Sequence, residues 1–170
     1  MIKSLQKLCE TDNRLDVVTA LLREREIPHS LLPYQHGTNV RVAFGNPGIV
    51  IGAHYDAIPN VPGANDNGAS VIELIELATR LHRRQFSGDL SILFFDKEES
   101  LCYGKIEEMG SWHYASTEAT AFALILDVCG TGECIVTSGD RLDFETDSSI
   151  VLPPSGWLRR MIQKTIRKEN

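Results

Sequence analysis

The chain has 170 residues, of which 42% are hydrophobic and 24% charged, and it carries a net charge of −6. That length suggests one domain over residues 1–170, large enough to bury most of its apolar surface. The acidic balance gives no electrostatic reason to bind nucleic acid or an acidic membrane. Met1-Ile2-Lys3-Ser4-Leu5-Gln6-Lys7 lacks the apolar core of a secretory signal. No stretch approaches the length of a membrane span, so a cytoplasmic location without a membrane partner is expected. Cys9, Cys102, Cys129 and Cys134 form no CxxC pair and are read as structural cysteines.

The spacing predicts helices over Leu5 to Cys9 and Leu15 to Arg25, the second with an apolar stripe of Leu15, Val18, Leu21 and Leu22. Pro28 and Pro33 bracket an extended segment, Ile27 to Leu32. Asn39 to Phe44 alternates and reads as a half-exposed strand. Gly45-Asn46-Pro47-Gly48 is a turn. Ile49 to Ala53 is a continuous apolar run, the mark of a strand buried on both faces.

His54 to Gly68 reads as a loop. Val71 to Arg84 is a helix, with Val71, Leu74, Ile75, Ala78 and Leu81 on one face. Leu90 to Phe95 and Ala121 to Leu126 read as two more buried strands, with a short helix, Trp112 to Ala119, between them. A shorter strand, Cys134 to Thr137, and a helix, Trp157 to Lys168, complete the chain. Buried strands alternating with amphipathic helices predict a three-layer α/β/α sandwich around a mostly parallel mixed sheet.

Function in such sheets gathers where the strands end, and the acids fall there. Ile49–Ala53 runs into His54-Tyr55-Asp56. Leu90–Phe95 runs into Asp96-Lys97-Glu98-Glu99, and Ala121–Leu126 into Asp127. Asp66 sits in the loop Gly63-Ala64-Asn65-Asp66-Asn67-Gly68, just before a helix. Taken singly, a His-x-Asp is an ordinary polar loop and Glu98-Glu99 a solvated acidic turn. Together, one imidazole and several carboxylates would repel at one cleft unless cations or protons neutralise them. A divalent metal answers that need. Imidazole and carboxylate ligands suit catalytic zinc, and ligand type alone admits manganese or cobalt as well.

Gly52-Ala53-His54-Tyr55-Asp56, Pro62-Gly63-Ala64-Asn65-Asp66-Asn67-Gly68-Ala69-Ser70, Phe94-Phe95-Asp96-Lys97-Glu98-Glu99, Gly110-Ser111 and Leu126-Asp127 together resemble the M28 family of di-zinc aminopeptidases. The order and spacing match from about residue 35 to about residue 140. The resemblance implies a zinc-exopeptidase fold and release of N-terminal amino acids from a peptide substrate. By position, His54 and Asp127 would bind a first metal, Asp66 would bridge, and Glu99 would bind a second. Asp56 would orient the His54 ring. Glu98 would act as general base on the water that attacks the peptide carbonyl. Gly63 and Gly68 would take positive φ to turn the Asp66 carboxylate inward, and Asn67 or Ser70 would cap the helix that follows.

The family normally supplies another metal-binding histidine downstream of Asp127, and this chain has none after His113. His113 itself, between Trp112 and Tyr114, reads as a packing residue. The second zinc site is therefore expected to be incomplete. The readings are a C-terminal truncation, a compact variant with one metal or a ligand from a partner chain, or an inactive descendant. A missing sheet layer would expose an apolar edge, which makes a homo-oligomer a further expectation. Cys102-Tyr103-Gly104 lies in a lengthened segment after Glu99 and would line the substrate pocket. Two alternatives stand beside the aminopeptidase reading: a non-catalytic metal-binding module, and a glutaminyl-cyclase-like acyltransferase.

Overall fold

The computed structural model describes residues 1–45, 48–99 and 104–128, all of them within one unit, Met1–Gly130. Two helices come first, α1 (Ile2–Cys9) and α2 (Arg14–Glu24). Asn13 begins α2, its side chain accepting from Asp16 N at 3.4 Å. A hairpin follows, β1 (Ser30–Tyr34) and β2 (Gly37–Ala43), with Tyr34 opposite Gly37. Pro33 is tolerated inside β1 because that strand lies at the sheet edge.

The apolar run Ile49–His54 forms β3, and Leu90–Phe95 forms β4. Between them lies α3 (Ala69–Arg83), and after them α4 (Gly110–Thr117) and β5 (Phe122–Ile125). The strand order among the described residues is β1-β2-β4-β3-β5. β3 pairs in parallel with both β4 and β5, and β2 is antiparallel to both of its neighbours. So β2 alone among these strands is reversed.

Period-2 alternation divides the sheet's side chains between two layers. Val40, Val42, Ala53, Ile92 and Phe94 face α1, α2 and α3, meeting Leu8, Val18, Leu22, Leu74 and Ile75. The α3 residues buried there fall at the 71, 74, 75 and 78 positions of a helical stripe. On the opposite face, Val50, Leu93 and Phe95 pack with Tyr114 of α4, the Phe95 and Tyr114 rings meeting edge to face at 6.0 Å. Each such side chain, fully buried, contributes about 1.5–3 kcal/mol. The result is the α/β/α layering predicted from the sequence.

Three expectations change. β5 is not buried on both faces: it borders the described sheet, and Ile125 is 51% exposed. The 54–68 loop closes early, in an irregular wide turn over Ala64–Gly68 whose Asp66 and Asn67 are non-helical. Of the two glycines read as left-handed, Gly63 is so, at φ 51°, whereas Gly68 is right-handed at φ −55°. Gly68 is needed for space instead, since a Cβ there would lie 2.9 Å from both the Gly63 carbonyl and Leu5 Cδ1. The predicted segments Cys134 to Thr137 and Trp157 to Lys168, along with Asn46, Pro47, Cys102 and Tyr103, lie outside the described residues. No helix among the described residues is long and apolar enough to cross a membrane.

Candidate metal centre

Parallel pairing brings the strand exits to one edge. His54 stands opposite Phe95 in the β3–β4 register, so Asp96 to Glu99 emerges beside His54 to Asp56. On the other side of β3, Leu126 N donates to the Gly52 carbonyl at 2.8 Å, which carries Asp127 to the same edge. The turn before α3 adds Asp66. Its peptide bond to Asn67 is cis.

The side chains converge on the His54 imidazole, which is 3% exposed. Its Nε2 lies 3.1 Å from Asp66 Oδ1, 3.5 Å from Asp127 Oδ1 and 3.8 Å from Glu98 Oε2. Ligand atoms of His54, Asp66 and Glu99 all fall within 4.8 Å of one another. The structure thus brings His54, Asp66 and Glu99 within ligand distance of one another, and sets Glu98 and Asp127 against the His54 ring without joining them to that cluster. His113 is elsewhere, stacked on Tyr34 with ring centroids 5.0 Å apart.

These separations suit a cation. Ligands about 2.0–2.1 Å from a tetrahedral zinc stand about 3.3–3.4 Å apart, between the 3.1 and 3.5 Å that separate His54 Nε2 from Asp66 and Asp127. A protonated imidazole can also sit 3.1 Å from a carboxylate, but it cannot neutralise all of its acidic neighbours. The groups register that shortfall. Burial, with Asp127, Asp56 and Asp66, raises the Glu98 pKa against the lowering effect of His54. Burial and Asp66 do the same for Glu99. Burial alone would lower the His54 pKa, but Asp56, Glu98 and Asp127 outweigh it and raise the pKa to about 9.

Asp56, read as the residue that orients the His54 ring, makes its hydrogen bonds elsewhere. Its Oδ1 is 3.4 Å from His54 Nδ1, near enough for electrostatic pairing but not aligned as a hydrogen bond. Its two oxygens accept the Glu98 and Glu99 amides, each at 3.1 Å. One carboxylate therefore ties the β3 exit to the β4 exit.

Of Asn67 and Ser70, the two residues read as candidate caps, Asn67 does not cap α3. It is instead fully buried and donates from Nδ2 to the Leu126 carbonyl at 2.8 Å, bracing the turn that carries Asp66 against the residue before Asp127. α3 has no side-chain cap, because its N-cap position is Gly68, which carries no side chain.

A third brace, Asn39, went unread in the sequence. Buried in β2, it accepts the Asp96 amide at 3.1 Å and donates to the Gly110 carbonyl at 2.8 Å. The available signal was an asparagine between strand residues, since a buried amide needs partners. Gly110 has no Cβ to collide with the Asn39 side chain, which accounts for the glycine of the Gly110-Ser111 element. A cleft of about 900 Å³ opens beside the centre, bordered by Asp56, Pro62, Asp96, Lys97 and Glu99.

The model of peptidase family M28 matches residues 38–150. The Escherichia coli (strain K12) protein YfbL is 32% identical over 111 residues, 58% of this chain and 33% of that protein. The chain thus spans about a third of that relative's length. Among solved structures, a leucine aminopeptidase precursor from Bacteroides thetaiotaomicron superposes with TM-score 0.55 at 18% identity, over 73% of this chain and 59% of that one. A glutaminyl cyclase from Macrostomum lignano superposes with TM-score 0.57 at 20% identity, over 76% and 53%. At these identities the two structures show a shared fold.

Proposed function

The chain belongs to peptidase family M28, and from that premise we propose that it is the metal-binding portion of a zinc-dependent aminopeptidase, removing N-terminal amino acids from peptides. One observation carries the reading: the buried His54 imidazole presents Nε2 to Asp66 and Asp127 at 3.1 and 3.5 Å, where parallel strands end. His54, Asp66 and Asp127 would hold one zinc, and Asp66 with Glu99 would reach a second. Bound there, zinc would supply Lewis acidity toward the peptide carbonyl and lower the pKa of water at the site.

Glu98 is the general base of this reading. Its Oε2 lies 3.8 Å from His54 Nε2, beside the centre, where a carboxylate can accept and return a proton. It takes the proton of the attacking water and passes it to the departing amine. Asp56 holds the Glu98 and Glu99 backbone in place during that transfer. The cleft beside Glu99 is of a size that encloses small ligands and receives the peptide's N-terminal residue.

Zinc content of the purified chain, compared with that of Asp66→Ala, tests the reading. The chain should carry at least one zinc and release amino acids from peptides, and Asp66→Ala should carry none. Full zinc in the variant refutes the assignment. Zinc without turnover on any peptide would make the chain a non-catalytic metal-binding module.

A further inference from the structure

We propose that Arg14 is a positioning residue for the metal centre, clamping the loop that joins the imidazole strand to the turn carboxylate. The proposal rests on the zinc reading above. Arg14 opens α2, where an arginine ordinarily extends into water, yet it is only 4% exposed. Nη1 donates to the Tyr55 carbonyl at 3.2 Å and the Asp56 carbonyl at 3.4 Å. Nη2 donates to the Pro62 carbonyl and to the Gly63 carbonyl at 3.5 Å. One nitrogen therefore grips the loop next to His54 and Asp56. The other grips it just ahead of Asp66.

A guanidinium is planar, with its donors in a rigid fork, so it sets the separation of the two loop ends. That separation governs whether His54 Nε2 and Asp66 Oδ1 stand at ligand spacing. Gly63 leaves room for the clamp, since a Cβ there would lie 2.8 Å from Arg14 Nη2. Arg14 also lies outside residues 38–150, so α2 contributes to the centre from beyond the family-matched segment.

Cobalt(II) titration of the full chain at low temperature, followed by its visible absorption, tests the clamp. Circular dichroism confirms folding at the same temperature. A lysine offers one compact ammonium and cannot grip both ends. Folded Arg14→Lys should bind cobalt about 10–100-fold more weakly, the effect typical of removing a group that orients metal ligands, with an altered absorption band. Wild-type affinity and spectrum in the folded variant, with only a lower Tm, would show an ordinary structural arginine and overturn the proposal. Gly63→Ala crowds Arg14 Nη2 and also the Asp66 carbonyl, so it serves only as a refuting control if Arg14→Lys is too unstable to titrate. Unchanged cobalt binding in it would be equally fatal. A wild-type chain that takes up no cobalt would instead overturn the metal reading on which the clamp depends.

Discussion

On the proposed assignment of His54 as a zinc ligand, zinc uptake should depend steeply on pH, because the imidazole holds a proton until the metal arrives. In the metal-free protein the carboxylates around His54 raise its pKa to about 9, so the ring is cationic at neutrality. A zinc ligand must be neutral imidazole. Each pH unit below that pKa therefore adds about 1.4 kcal/mol to the cost of binding. Apparent zinc affinity should rise about fiftyfold between pH 7 and pH 9 and level off above. About one proton should leave His54 for each zinc bound at pH 7. Competition against a chromophoric chelator across that range measures the affinity, and calorimetry in buffers of different ionisation enthalpy counts the protons. An affinity flat from pH 7 to 9, with no proton released, would refute the electrostatic description of the site.

The same titration acts on stability in the metal-free state. A raised histidine pKa contributes stability that is complete below the unfolded value of about 6.5 and vanishes as pH passes the folded value; chelator-treated protein should lose Tm from pH 6.5 to 9, and an unchanged or rising Tm would contradict this. Glu98→Gln should retain zinc while turnover falls about 10²–10⁴-fold, the usual contribution of a general base; undiminished turnover removes Glu98 from that role. Gly110→Ala places a methyl against the Asn39 side chain and the Asp96 carbonyl and should cost about 1–3 kcal/mol of stability by urea unfolding. A neutral result would show that Asn39 is not tightly held.

Among the described residues, the strands, the helices that cover them and the identities of the converging acids could be read along the chain. Apolar runs such as Ile49–Ala53 and Leu90–Phe95 report burial through local periodicity, and an abrupt change to His54, Glu98 or Asp127 marks where each strand leaves the core. Those signals are local, so sequence suffices for them. What it withholds is who meets whom. Asn67 looks like a helix cap because its neighbours are a turn and a helix, and its actual partner is the Leu126 carbonyl 59 residues away. Asp56 looks like a partner of the imidazole two residues earlier, and it chiefly holds amides 42 and 43 residues on.

Arg14 gives the sharpest contrast, since in sequence it resembles any solvated arginine at a helix start. Only the packing of α2 against the 55–63 loop buries it and makes its fork span that loop. β5 shows the same limit for burial: an apolar strand reads alike at the centre of a sheet and at its border, and neighbours decide which it is. The chain's own residues thus determined which candidate ligands it carries and where its described strands end. The tertiary fold alone decided their spacing and bracing, because hydrogen bonds between distant segments leave no periodic trace in the sequence that makes them.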